Sequence, residues 1–285
     1  MRLLSFEKNG QIGLALKQDD VWLDLAAADA GLPRDVAALL RLEHWRGRVL
    51  RVASSAPALD LTGIRYLAPV RSGEKILCVG LNYLSHVGES PYKVPDYPVF
   101  FPRFASTLIG HKAPLVKPRA SDEFDYEGEL AVIIGAEGRH IPAERALDFV
   151  AGYTIFNEGS VRDYQFKAPQ WTMGKNFDGS GACGPWYVSA DELPVGARGL
   201  RLETQVNGTV KQSASTADML FDIPTLISIA SDVMTLRAGD MIVTGTPSGV
   251  GFGRKPPEYL RVGDTCTISI EGIGTLENVV IDEAL

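Results

Sequence analysis

Ten residues, Asp125-Tyr126-Glu127-Gly128-Glu129-Leu130-Ala131-Val132-Ile133-Ile134, set the reading of the whole chain. They form a strand pattern that starts polar and ends in a continuous apolar run, the mark of a strand entering a core. Side chains alternate across a strand, so Glu127 and Glu129 point to the same face. Two close carboxylates repel each other unless one holds a proton or a cation lies between them. A hard divalent ion suits that place, because it prefers oxygen ligands and usually keeps several waters. The plainer reading is a solvated strand end with two unrelated charges, since acidic side chains are mostly exposed.

Downstream, proline at position 142 opens a short helix, where its missing N–H is tolerated. Residues 150–156 then read as a strand that delivers Asn157-Glu158-Gly159-Ser160-Val161-Arg162-Asp163-Tyr164-Gln165. Asp163 is the third acidic candidate, on an element separate from the first pair. Three carboxylates converging from two elements, with water in the remaining positions, would suit octahedral Mg²⁺ or Mn²⁺. Next, Gly174-Lys175-Asn176-Phe177-Asp178-Gly179-Ser180-Gly181 crowds glycines around one cation. The phosphate-loop pattern G-x-x-x-x-G-K-[ST] is absent there, so Lys175 reads as a hold on a substrate oxygen.

Upstream, residues 75–80 are a short buried strand followed directly by Leu81-Asn82-Tyr83-Leu84-Ser85-His86-Val87-Gly88-Glu89. His86 and Glu89 share one face of a helical turn. A carboxylate that takes the proton of one imidazole nitrogen leaves the other nitrogen as a base. Prolines 91, 95, 98 and 102 exclude a long helix and suggest a lid-like segment over residues 91–103. Arg103, with Ser106 and His111 just beyond, is a candidate partner for a substrate carboxylate.

The flanks carry less chemistry. Asn9-Gly10 and Asn207-Gly208 are hairpin signals, the first between strands over 2–7 and 11–16, the second between 200–206 and 209–212. A third strand is expected over 21–25, and residues 34–53 have helical spacing. Residues 1–70 therefore read as a small N-terminal α+β domain, and 71–285 as the domain that holds the site. In the latter, 224–234 reads as a core helix and 240–244 as a strand. That strand opens into Gly245-Thr246-Pro247-Ser248-Gly249-Val250-Gly251, whose backbone N–H groups and threonine hydroxyl could cradle a carboxylate.

Composition excludes several classes. The 285 residues are 45% hydrophobic and 22% charged, as in ordinary globular proteins. A net charge of −7, with no basic block, argues against nucleic acid or an anionic membrane surface as partner. No apolar run reaches the length of a membrane span, and the charged start is not a secretory signal. Three scattered cysteines (Cys78, Cys183, Cys266) form neither a disulfide framework nor a zinc pattern, which favours a reducing cytoplasm.

Taken in order, six motifs resemble the fumarylacetoacetate hydrolase family. They are residues 79–83 with His86 and Glu89, then 125–130, 159–163, 174–177, 217–219 and 244–251. The likeness covers roughly residues 72–283. It implies an α+β, mainly β fold, a mixed β-sandwich roll preceded by the small N-terminal domain and assembled as a homodimer. It implies a divalent ion, Mg²⁺ most often with Mn²⁺ or Ca²⁺ as substitutes, on Glu127, Glu129 and Asp163. His86 and Glu89 match the family's acid/base dyad, Lys175 a substrate-polarising lysine, and Thr246 a contact to the substrate carboxylate. Arg103 and Gln165 join Thr246 as expected substrate contacts. Some members carry arginine where Leu81 stands and lysine where Arg103 stands, so the substrate of this chain can differ from theirs.

The expected reaction is hydrolysis of a C–C bond in an acylpyruvate-like or 2,4-diketo acid through a metal-stabilised enolate, with His86 activating water. The same enolate serves oxaloacetate decarboxylation and isomerisation of hydroxymuconate-like or 2-hydroxyhepta-2,4-diene-1,7-dioate acids. Fold and family leave these alternatives open.

Overall fold

The computed structural model describes residues 1–89 and 92–284. Pro91, the first residue of the expected lid-like segment, lies outside the described residues.

The chain begins with β1 (Arg2–Lys8) and β2 (Gln11–Gln18), joined as the Asn-Gly pair requires. Asn9 and Gly10 both take positive φ, 52° and 75°, the turn whose twist matches the strands it connects. β3 (Val21–Asp24) pairs with β2, and β4 (Arg65–Tyr66) with β1. Residues 34–53 form two helices, Val36–Leu40 and Trp45–Ala53, rather than one. His44 between them has φ 53°, a left-handed conformation that a continuous helix cannot contain.

There follow β5 (Ile76–Gly80), β6 (Val99–Pro102), β7 (Leu108–Ile109), β8 (Leu115–Lys117), β9 (Phe124–Asp125) and β10 (Gly128–Ile134). Next come β11 (Val150–Glu158), β12 (Ser160–Val161), β13 (Gly181–Ser189), β14 (Arg201–Val206) and β15 (Thr209–Ser215). β16 (Met241–Val243), β17 (Thr265–Ile270) and β18 (Gly274–Asp282) complete the strands.

One mixed sheet runs β3-β2-β1-β13-β11-β10-β16-β5-β6, with β4 and β7 attached at its side. A second runs β15-β14-β17-β18-β8. Helices are short by comparison, so the class is α+β with strands dominant. β1 pairs antiparallel with β13, Leu3 opposite Tyr187, so residues 1–70 continue the sheet that carries the site. The core is continuous across that boundary too, since Leu3 and Leu14 share a cluster with Cys78, Ile133 and Tyr187.

β10 lies at the centre and is buried on both faces. Leu130, Val132 and Ile134 face one core cluster, while Ala131 and Ile133 face the other. Each such large aliphatic side chain contributes about 1.5–3 kcal/mol by leaving water. The helix Ile223–Val233 closes the first cluster with Ile223, Leu226, Ile227 and Ala230. Asp222 caps its first turn through Thr225 N at 3.0 Å, and Pro224 sits where no intrahelical N–H is needed. That packing fixes β10 in depth and register, which is what holds the acidic residues at its start.

Candidate active site

The expected strand over 126–134 is broken in two. β9 ends at Asp125 and β10 begins at Gly128, with Tyr126 and Glu127 between them. β10 pairs antiparallel with β11, Gly128 opposite Asn157 and Glu129 opposite Phe156. The same register sets Glu127 opposite Glu158, whose N–H donates to Glu127 O at 2.9 Å. Residues opposite one another share a sheet face, so Glu158 joins the face that carries Glu127 and Glu129. Oxygens of Glu127, Glu129 and Glu158 lie within 4.8 Å of one another, and all three side chains are buried.

The third acidic residue is therefore Glu158, and the expectation for Asp163 is corrected. Asp163 stands in the short helix Arg162–Gln165, half-buried, and accepts a 2.6 Å hydrogen bond from Ser121 Oγ. Glu158 ends β11, whereas Asp163 follows β12, which leaves the large sheet to pair with β9 and so carries Asp163 off that sheet's face. Its sequence signal was available in part: parity along a strand extended by two residues, 150–158, puts Glu158 in phase with Phe156 of the second core cluster.

Cations surround the acids. Lys175 Nζ is 2.6 Å from Glu127 Oε2, and Arg162 Nη2 is 2.7 Å from Glu127 Oε1. Burial raises the Glu127 carboxyl, but the Arg162 guanidinium and Lys175 ammonium outweigh it and hold the group at about 2. Glu129 goes the other way. Burial, then the charges of Glu158 and Glu127, push its carboxyl well above the usual carboxylate range. Glu158 Oε1 accepts from Arg103 Nε at 2.8 Å, while its Oε2 is buried with no hydrogen-bond partner. Converging hard oxygens, one of them orphaned and one carboxyl unable to ionise easily, fit a hard divalent cation.

The loop after β16 does not offer its amides to a ligand in the way its sequence suggested. Gly245 N donates to Glu129 Oε2 at 2.5 Å, and Gly249 N to both oxygens of Glu89 at 3.0 and 2.9 Å. Gly251 N and Phe252 N donate to Asp125 at 2.7 and 3.0 Å. The N–H groups of Gly245, Gly249, Gly251 and Phe252 thus hold the protein's own carboxylates. Asp125 in turn accepts from Arg162 Nε at 2.8 Å. Gly251 permits this approach, because a Cβ there would stand 2.6 Å from Asp125 Oδ1 and 2.0 Å from Glu258 O.

His86 lies in the short helix Leu84–Val87 and is 6% exposed. Its Nδ1 has no hydrogen-bond partner and stands 3.8 Å from Glu89 Oε2, an ion-pair distance too long for a hydrogen bond. Free-enzyme dyads commonly tighten only once substrate is present. His86, Glu127, Glu129, Lys175, Gln165 and Thr246 all line one narrow cavity with about 20 Å³ of room for a water centre. That is space for about one water. Its other wall is apolar, formed by Leu81, Tyr92, Phe101, Trp171 and Phe252 among others. Trp171 Nε1 donates to Tyr92 O–H at 3.0 Å, which brings the described part of the proline-rich segment over the cavity. Leu81 lines it with φ 58°, an uncommon conformation for a bulky residue and one that clusters at functional sites.

The expected substrate contacts divide. Thr246 Oγ1 donates to Gly128 O at 3.0 Å and accepts from Gln212 Nε2 at 2.8 Å, at the cavity wall. Gln165 Oε1 accepts from Arg162 Nη1 at 2.9 Å, also at the wall. Arg103 does not reach the cavity and is corrected as a substrate contact. It is fully buried behind Glu158, with every arm engaged. His111 is structural too: its Nδ1 accepts from Glu277 N at 3.1 Å and its ring packs edge-on against Tyr66.

A buried carboxylate triad that could hold a hard divalent cation lies with an imidazole and a lysine around one narrow cavity of a β-rich α+β fold. The chain belongs to the fumarylacetoacetate hydrolase family: residues 75–281 match the model described as "Fumarylacetoacetate (FAA) hydrolase C-terminal". It is 37% identical to oxaloacetate tautomerase fahd2, mitochondrial, of Xenopus laevis, over 99% of this chain and 90% of that one. Among solved structures it is similar to a fumarylacetoacetate hydrolase from Exiguobacterium antarcticum, with TM-score 0.85, 36% identity and coverage of 99% and 100%. It is also similar to maleylpyruvate hydrolase from Sphingobium in complex with manganese (II) ion and pyruvate, with TM-score 0.82, 31% identity and full coverage of both chains. Among the described residues no helix is long and apolar enough to cross a membrane.

Proposed function

We propose that the protein is a divalent-metal-dependent enzyme that moves a proton between C3 and the 2-oxo oxygen of a small 2-oxo acid of the oxaloacetate class. One observation carries this reading. One narrow cavity sets a single acid/base candidate, His86, beside Glu127, Glu129 and Lys175. Proton transfer within one small substrate needs neither a second cavity nor an attacking water. The whole-length likeness to an oxaloacetate tautomerase supports it.

A cation held by Glu127, Glu129 and Glu158 would supply Lewis-acid charge to the substrate oxygens, Mg²⁺ or Mn²⁺ being the ions these donors suit. Glu89 orients His86 from the Nδ1 side, which leaves Nε2 to take the C3 proton. As that proton leaves, charge collects on the 2-oxygen, and the Lys175 ammonium offers it a hydrogen bond. His86 then returns the proton to the oxygen, so the reaction is balanced without water or co-substrate. Trp171 and Phe252 exclude bulk water, which strengthens both interactions.

Cleavage of an acylpyruvate-like or 2,4-diketo acid is the second reading, favoured by the likeness to maleylpyruvate hydrolase. There His86 would deprotonate water instead of C3. A homodimer is the family-based expectation, and a reducing cytoplasm the expectation from the scattered cysteines. The test follows ultraviolet loss of enol-oxaloacetate and of a simple acylpyruvate, each with Mg²⁺ and with a chelator. Faster Mg²⁺-dependent loss of the enol, without release of pyruvate or carbon dioxide, is expected. Faster acylpyruvate loss with stoichiometric pyruvate would replace tautomerisation by hydrolysis, and carbon dioxide from oxaloacetate would replace it by decarboxylation.

A further inference from the structure

Arg103 is built into the wall behind the triad with unusual completeness. Its Nε donates to Glu158 Oε1 at 2.8 Å, Nη1 to Ser180 Oγ at 3.0 Å and Nη2 to Gly159 O at 2.8 Å. Both Arg103 and Glu158 side chains are 0% exposed. The guanidinium also lies 5.7 Å from the Phe156 ring centroid. Gly181 leaves the socket open, since a Cβ there would stand 2.9 Å from Nη1. A guanidinium is a planar, permanently charged fork, so three fixed acceptors leave it one orientation. An ammonium in the same place is a point charge with no such constraint.

The consequence falls on Glu158. One oxygen is committed to Arg103 and the other, Oε2, is buried with no hydrogen-bond partner, while an oxygen of Glu158 lies within 4.8 Å of oxygens of Glu127 and Glu129. We infer that Arg103 is a positioning residue that restricts Glu158 to one ligating oxygen and so biases the triad toward Mg²⁺ or Mn²⁺ over Ca²⁺. Mg²⁺ needs near-octahedral geometry with few carboxylate oxygens, whereas Ca²⁺ accepts more ligands and takes carboxylates in bidentate fashion. A Glu158 free to rotate presents both oxygens and relaxes the discrimination. The inference rests on the metal reading given above.

The experiment is calorimetric titration of the metal-free full-length protein with Mg²⁺ and, separately, Ca²⁺, in wild type, Arg103→Lys and Ser180→Ala. Removing an outer partner of a metal ligand costs about 10–100-fold in affinity. Arg103→Lys is expected to lose Mg²⁺ affinity by that factor while Ca²⁺ affinity changes by less than about threefold, so the preference collapses. Ser180→Ala, which keeps the charge and removes one acceptor, should shift the preference the same way by a smaller factor. It decides the question if Arg103→Lys fails to fold. Equal changes for both ions, or none, would overturn the role of Arg103 and leave the triad intact. A wild type that binds neither ion would instead remove the metal reading itself.

Discussion

Replacing Glu158 by alanine separates the two assignments of the third acidic residue most sharply. The change removes one carboxylate from the triad and leaves the Arg103 guanidinium buried without its counter-charge. Breaking a buried ion pair from one side costs about 3–5 kcal/mol. In a chain of this size each kcal/mol shifts the melting temperature by roughly 2–4 °C, which gives a drop of roughly 6–20 °C. Ser180 Oγ and Gly159 O still accept from Arg103, so the lower part of that range is expected. Metal adds a second readout. An ion at a hundred times its dissociation constant stabilises the folded state by about 2.7 kcal/mol, equivalent to roughly 5–11 °C in wild type. Glu158→Ala should lose that increment at the same Mg²⁺ concentration. Asp163→Ala should keep it, because Asp163 only accepts from Ser121, and should cost about 0.5–1.5 kcal/mol. The assay is thermal unfolding of both variants with Mg²⁺ and with a chelator. A full metal-induced shift in Glu158→Ala, with none in Asp163→Ala, would refute the triad drawn from the sheet register.

Three further outcomes follow from the geometry. His86→Asn should lower kcat by about 10²–10⁴-fold, the usual worth of a positioned acid/base, with metal binding unchanged; a loss under threefold would remove His86 from the proton transfer. Burial first, then the neighbouring Lys112 charge, lowers His111 to about 4 from an ordinary 6.5. Its folded-state pKa is thus below the unfolded one, so its contribution is present above pH 6.5 and is lost as pH falls toward 4. His111→Asn should flatten stability against pH in that window, and an unchanged slope in acid-unfolding curves would show that another group titrates there. At Gly80 an added Cβ would stand 2.2 Å from the Trp171 ring. Gly80→Ala should therefore cost about 1–3 kcal/mol by overpacking, raise KM and shift tryptophan emission as Trp171 leaves Tyr92. An unchanged KM would place Trp171 outside substrate binding.

Much of this protein is local enough to be written in its order of residues. Asn9-Gly10 and Asn207-Gly208 fix their hairpins because few residue pairs adopt two positive φ values, and both pairs do. The alternation from Glu127 to Ile133 fixes the face of the acidic pair, since the period of a strand is a property of the backbone alone. The motifs carrying His86, Glu89, Lys175 and Thr246 are likewise local, and all four residues meet at the cavity or its dyad. Pairing between distant strands was not legible in this way. Register decides which residue opposes Glu127, and it is set by the packing of β10 between two cores, whereas parity within residues 150–158 gives only the face on which Glu158 stands. That is why Asp163 looked as suitable as Glu158 until the sheet was formed. The same limit explains Arg103, whose charge suggests a ligand contact, while its burial behind Glu158 depends on Ser180 and Gly159 from far along the chain. The sequence alone determined the chemical types, the strand periods and the turns. Tertiary structure decided which acid completes the triad and which cation supports it, because side chains remote in sequence become neighbours only through the register of the sheet.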